Sequence, residues 1–162
     1  MSATDNNDIQ ISFKLVDKNK HAFLDVDCSI PATGITAIFG HSGSGKTSLL
    51  RCIAGLEKAD QGKLRVKGET WQDDSLFIAT HKRPIGYVFQ ESSLFPHISA
   101  QKNLAYAIKR ADSPVNSEFY NRVIEVMGIE DILTRYPNQL SGGERQRIAI
   151  ARALLIQPRL LL

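Results

Sequence analysis

No stretch of this sequence approaches the about 20 consecutive apolar residues that a membrane-spanning helix needs. The opening residues, MSATDNND, have neither the basic segment nor the apolar core of a secretory signal, so the chain is expected to be neither secreted nor membrane-spanning by itself. Cysteine is scarce. Cys28 lies in a strand-like run and Cys52 in a helix-like run, a spacing that makes neither a metal site nor a disulfide framework, and both read as reduced, buried structural thiols of a cytosolic protein. Positive charge is not concentrated either: the net charge of +3 is spread along the chain, which argues against nucleic acid as the main ligand. What remains is an ordinary globular composition, 43% hydrophobic over 162 residues, with room for one compact domain.

Apolar residues alternate at Ile9, Ile11, Phe13 and Leu15, and again at Leu24, Val26, Cys28 and Ile30 after a polar turn at Asp17 to Lys20. That period predicts two half-buried antiparallel strands. The run Ile35 to Phe39 is almost wholly apolar and suits a strand covered on both faces. A helical stripe of Leu49, Leu50, Ile53, Ala54 and Leu56 follows and ends at Gly55 and the polar segment behind it. Short strands are expected at Lys63 to Lys67 and Glu69 to Gln72, a polar surface connection over Asp73 to Pro84, and a buried strand at Ile85 to Phe89. Beyond Phe95 the strand pattern stops. Ser99 is placed to cap a helix through Lys109 with Leu104, Ala105 and Ile108 inward; a second helix is expected near Glu118 to Met127, a short piece at Ile129 to Arg135, and another helix from the Leu140 to Arg147 segment through Leu155. Arg159 to Leu162 reads as the start of one more buried strand.

Between the run ending at Phe39 and the helix stands GHSGSGKT, Gly40 to Thr47, which fits G-x-x-x-x-G-K-[ST]. Strand, glycine loop and helix in this order let successive backbone N–H groups converge on an anion at a helix N-terminus. The loop from Gly40 through His41, Ser42, Gly43, Ser44 and Gly45, with Lys46, Thr47 and Ser48, is the expected phosphate site. The Lys46 ammonium reaches the β- and γ-phosphates and the Thr47 hydroxyl goes to Mg²⁺, so ATP and Mg²⁺ are the expected ligands. A second glycine pair, Gly142 and Gly143 after Ser141 in LSGGERQR, repeats the arrangement ahead of another helix.

With GHSGSGKT, LSGGERQR and the IGYVFQ ending at Gln90, the chain resembles the ATP-binding cassette family over nearly its whole length. The resemblance implies an α/β fold. Its P-loop (RecA-like) core and N-terminal antiparallel β subdomain would occupy residues 1–94, a helical subdomain with the signature 95–155, and the start of the strand for the Walker B carboxylates 156–162. It also implies a head-to-tail dimer of two copies, each ATP held between the loop of one and the LSGG of the other. Gln90 would contact Mg²⁺ and the attacking water. The segment Lys82 to Ile108 is similar to importer ATPases, whose counterpart docks a polytopic membrane permease, here near Phe95, Pro96 and His97. A periplasmic or surface binding protein would complete the complex, and the chain would sit peripherally on the cytoplasmic side of the cell membrane. TGITAIFGHSGSGKTSL looks most like the ATPase subunits of bacterial molybdate transporters. Importers of iron, sulfate, sugars or polyamines are near alternatives, and a soluble cassette acting as a nucleotide-gated clamp is a more distant one.

Two family features have no counterpart here. The region that in many cassettes carries an aromatic to stack on adenine is Asp17 to His21, with Lys18 nearest by count, while Phe13 and Phe23 belong to the alternating strands. The Asp and Glu that the family places after the strand beginning near Arg159 are not reached by Leu162, and Asp60, Asp73, Asp74, Glu91 and Glu144 do not follow an apolar strand in that way. Glu144 would face the partner's nucleotide. The expectation is an ATPase whose first 162 residues alone bind nucleotide weakly or not at all and hydrolyse it very slowly, with an exposed apolar end prone to aggregate.

Overall fold

The computed structural model describes residues 8–16, 22–111 and 113–162, and these form two compact units divided between Arg83 and Pro84. In the first unit, β1 (Asp8–Val16) pairs with β2 (Ala22–Pro31) on one side and β3 (Gln61–Val66) on the other, and β4 (Glu69–Gln72) completes an antiparallel sheet in the order β2-β1-β3-β4. Alternation dictates the buried face: Ile9, Ile11, Phe13 and Leu15 point inward with Leu64 and Val66 of the neighbouring strand. Phe13 lies opposite Gly62, where φ is +136° and a Cβ would run into the Ser12 carbonyl oxygen. Gly62→Ala is therefore expected to destabilise the first unit by about 2–4 kcal/mol, read as a lower denaturant midpoint.

The expectation of equal burial on β2 is corrected. Leu24 is buried, but Phe23 and Cys28 are exposed, because β2 is an edge strand and its outer residues have nothing packed over them. Cys28 is thus a surface thiol. Cys52 is buried as expected, and burial first, with the Glu57 charge behind it, pushes its thiol up to about 11. The larger correction concerns Ile35 to Phe39. It is extended chain outside any strand, with Ile35 fully exposed and Phe39 90% exposed. A doubly covered strand is made by its neighbours, and among the described residues no strand pairs with this run.

Helix α1 (Lys46–Ala54) follows the glycine loop, buries Leu49, Cys52, Ile53 and Ala54, and stops at Gly55 in the left-handed conformation. The expected polar connection from Asp73 is only partly so: Phe77 bridges back to Gln72, and Arg83 is buried.

The second unit is mainly helical. Ser99 caps α2 (Ala100–Ile108) by accepting from the Lys102 N–H, and Asn116 caps α3 (Ser117–Met127) by accepting from Phe119. With α4 (Gly142–Leu155) they enclose Leu104, Val123, Ile124, Ile148 and Leu155. Ala107 faces the core where Ala105 was expected, and Ala105 is exposed. The strand expected over Ile85 to Phe89 is shorter: β5 (Ile85–Gly86) pairs in parallel with β6 (Leu160–Leu161), Val88 donates to the Leu162 carbonyl at 2.8 Å, and Phe89 is exposed. Leu161 is exposed too, so this second expected buried strand is only half covered. None of the described helices is long and apolar enough to cross a membrane.

Candidate functional site

The glycine loop is shaped by positive φ angles and close approaches that favour glycine. A Cβ at Gly40 would come within 2.6 Å of Ser44 Oγ, and Gly43 and Gly45 adopt φ of +80° and +83°. Gly45 also rests on Leu24, where a Cβ would stand 2.9 Å from Cδ1, so a buried side chain of the edge strand seats the loop. Across the loop, Lys46 Nζ donates to the carbonyls of Gly40 at 2.8 Å and His41 at 2.7 Å, and to Ser44 Oγ at 3.3 Å.

Gly45 is the N-cap of α1 and offers no side-chain acceptor, and the first turn holds no acid. The first N–H groups of the helix thus present an uncancelled positive pole beside a lysine ammonium, which suits a phosphate chain. Thr47 is exposed and Ser48 half-buried at this end. Among the described residues no group of three or more His, Cys, Asp or Glu could hold a metal. A hard cation here would take the Thr47 hydroxyl, phosphate oxygens and water, a donor set that fits Mg²⁺. The stretch around Lys18 lies outside the described residues.

In the second unit Ser141 is the N-cap of α4. Its hydroxyl accepts from the Glu144 N–H at 3.2 Å while the Glu144 carboxylate accepts from the Ser141 N–H at 2.7 Å. Those hydrogen bonds first, and the Arg135 guanidinium 3.7 Å away after them, hold the Glu144 carboxyl below its usual range. The Glu144 carboxylate thus closes a capping box on its own helix end. The Ser141 hydroxyl accepts in this box and keeps its proton to donate. A Cβ at Gly142 or Gly143 would meet nothing within 4 Å, so nothing inside this unit demands glycine at either position. Gln90 is exposed and joins Leu94, Pro137, Gly142, Arg145 and Gln146 around a groove of about 480 Å³, which brings two of the expected site residues, Gln90 and Gly142, together.

Sequence reasoning missed Asn103 and Arg152. Asn103, 0% exposed, accepts from the Phe95 N–H at 2.8 Å and donates to the carbonyls of Phe95, Ile98 and Ser99. Arg152 of α4 donates to Asn103 Oδ1 and the Ser93 carbonyl and lies over the Phe95 ring. Phe95 packs edge-on against Tyr106, whereas Pro96 and His97 are exposed. A signal was available: Ala100, Asn103, Leu104 and Ala107 share one helical face, and an asparagine on an apolar stripe must find internal partners. Asn103→Ala leaves several backbone groups unpaired at once and is expected to lower the stability of this unit by about 2–4 kcal/mol in equilibrium denaturation.

The family model described as ABC transporter matches residues 23–162. The molybdenum import ATP-binding protein ModC of Thiobacillus denitrificans is 62% identical over 139 residues, covering 86% of this chain and 38% of that protein. ModC 1 of Azotobacter vinelandii is 57% identical over 141 residues, covering 86% of this chain and 39% of its own length. The chain thus spans less than two fifths of these curated relatives. Among solved structures, a dimeric ATP-binding cassette in a post-hydrolysis state bound to ADP and Pi matches with a TM-score of 0.73 at 28% identity, over 94% of this chain and 72% of that one. An ATP-binding subunit of an ABC transporter matches with a TM-score of 0.74 over 94% of this chain and 64% of that one, and at 19% identity it bears on the fold alone. With a family match from Phe23 to Leu162 laid over this loop and this signature, the chain belongs to the ABC transporter family.

Proposed function

We propose that this chain is the nucleotide-binding part of an ATPase subunit that powers a membrane importer, with molybdate as the cargo. The observation that carries the reading is the glycine loop, which leads into a helix N-terminus with no side-chain cap and no acid in its first turn, and across which the Lys46 ammonium lies. The cargo assignment rests on relatives named as molybdenum import proteins at 57–62% identity.

In this reading the N–H groups from His41 to Ser48 hold the phosphates and Lys46 neutralises the γ-phosphate. Thr47 and Gln90 would hold Mg²⁺, and Gln90 would orient the attacking water. Mg²⁺ would supply neutralisation of the phosphate charge. Ser141, Gly142 and Gly143 serve the nucleotide of a second copy, and the freedom of the two glycines from packing constraints supports a role outside their own unit. Residues 1–94 carry the loop and Gln90, and residues 95–155 the signature and the contact with a polytopic permease near Phe95, Pro96 and His97. The subunit works peripherally at the cytoplasmic face of the membrane, in a complex with a substrate-binding protein.

Two measurements on the intact protein test this. Titration with Mg-ATP should show binding, and a deletion strain should lose molybdate uptake and regain it with the wild-type gene. Uptake unchanged by the deletion would remove the cargo assignment, and failure of a polytopic membrane protein to co-purify in detergent would count against transport.

A further inference from the structure

Arg83 is 96% buried, yet among the described residues no carboxylate pairs with it. A buried cation without a counter-charge is costly unless its surroundings hold it. Here backbone carbonyls hold Nη1 and Nε, while Nη2 is buried without a hydrogen-bond partner among the described residues. Arg83 Nη1 donates to Cys52 at 2.9 Å and Ile53 at 2.6 Å, and Nε donates to Ile78 at 2.8 Å. The guanidinium lies between two rings, 5.1 Å from the centroid of Phe77 and 5.7 Å from that of Trp71. Cys52 and Ile53 belong to the last turn of α1, the helix that begins at Lys46. Arg83 therefore stands at the negative pole of the helix whose positive pole ends the glycine loop.

The approach is reserved for it. Gly55 ends α1 at φ +73°, and a Cβ there would come within 2.7 Å of Arg83 Nε, so any larger residue would push the guanidinium off the carbonyls. Helix α1 has nine residues, short enough to depend on tertiary anchors, and its N-terminus carries no side-chain cap. The loop end is left open for an anion, and the far end is where the helix can be fastened.

We infer that Arg83 is a positioning residue for the phosphate loop: by clamping the C-terminal turn of α1 it fixes where the N–H groups at Lys46, Thr47 and Ser48 point. This rests on the ATP-binding reading above. It adds a residue remote in sequence from the loop and assigns Gly55 a reason.

The test is titration of the intact protein with a fluorescent ATP analogue, alongside thermal unfolding. Arg83→Met is expected to raise Kd about tenfold, and Arg83→Lys about threefold, since an ammonium keeps the charge but not the fork. Phe13→Leu, a core change in the sheet, is the control: it should lower the unfolding midpoint while moving Kd by less than about twofold. If the wild type does not bind the analogue, the ATP reading fails and this inference with it. If the wild type binds and a folded Arg83→Met binds equally well, the inference alone fails. An equal rise in Kd from Phe13→Leu at matched loss of stability would also overturn it, by reducing Arg83 to a general stabiliser. Should Arg83→Met not fold, Arg83→Lys decides, and an unchanged Kd there rejects the role.

Discussion

Lys46→Ala will lower the affinity of the intact protein for Mg-ATP by about 100-fold or more while leaving its unfolding midpoint nearly unchanged. Two losses add. The ammonium proposed to neutralise the γ-phosphate disappears, and the Gly40 and His41 carbonyl oxygens lose the donor that engages them at 2.8 and 2.7 Å. The fold should tolerate the change because Lys46 is only half-buried and α1 is held by Leu49, Cys52, Ile53, Ala54 and Arg83. Isothermal titration and thermal unfolding on the same preparation separate the two effects. A retained affinity would mean that the backbone donors alone bind the nucleotide.

Ser141→Ala should behave in the opposite way. ATP binding by the monomer stays within about twofold, whereas steady-state hydrolysis falls by about 100-fold, the size typical of removing one donor from a preorganised anion site. The structural side effect is small by comparison: the substitution breaks the capping box with Glu144 and costs about 1 kcal/mol of helix stability. Asp at the same position keeps the cap acceptor and adds a negative charge facing the γ-phosphate. Ser141→Asp should therefore retain the stability that Ser141→Ala loses and still lack turnover, which distinguishes a capping role from a nucleotide role.

Much of this was legible in the sequence because caps, turns and short glycine loops are local. Ser99 announces its helix within three residues, Gly55 ends α1, and GHSGSGKT is recognised from its own spacing. Burial is not local, and there the sequence misled. Ile35 to Phe39 has the composition of a covered strand but stands exposed, since composition cannot supply the neighbouring strands that would cover it. Cys28 alternates correctly with Val26 and Ile30 and is still a surface residue of an edge strand.

Polar residues at least partly buried were the harder loss. Arg83, Asn103 and Arg152 are paired chiefly with backbone carbonyls that only tertiary folding brings within reach, so no spacing rule marks Arg83 or Arg152. They are also the residues that hold the loop helix and the Phe95 segment in place. The groups expected to carry chemistry stand in motifs that the sequence displays, whereas the buried contacts around them do not.

The central claim is that the loop of one copy and the signature of another share each ATP. It is tested most directly by mixing two inactive variants of the intact protein, Lys46→Ala and Ser141→Asp, and measuring hydrolysis. In a mixed dimer one site has both halves intact and the other has neither, so random pairing should restore about a quarter of wild-type turnover from two preparations that have almost none. No recovery on mixing, with mixed dimers shown to form, would contradict the account.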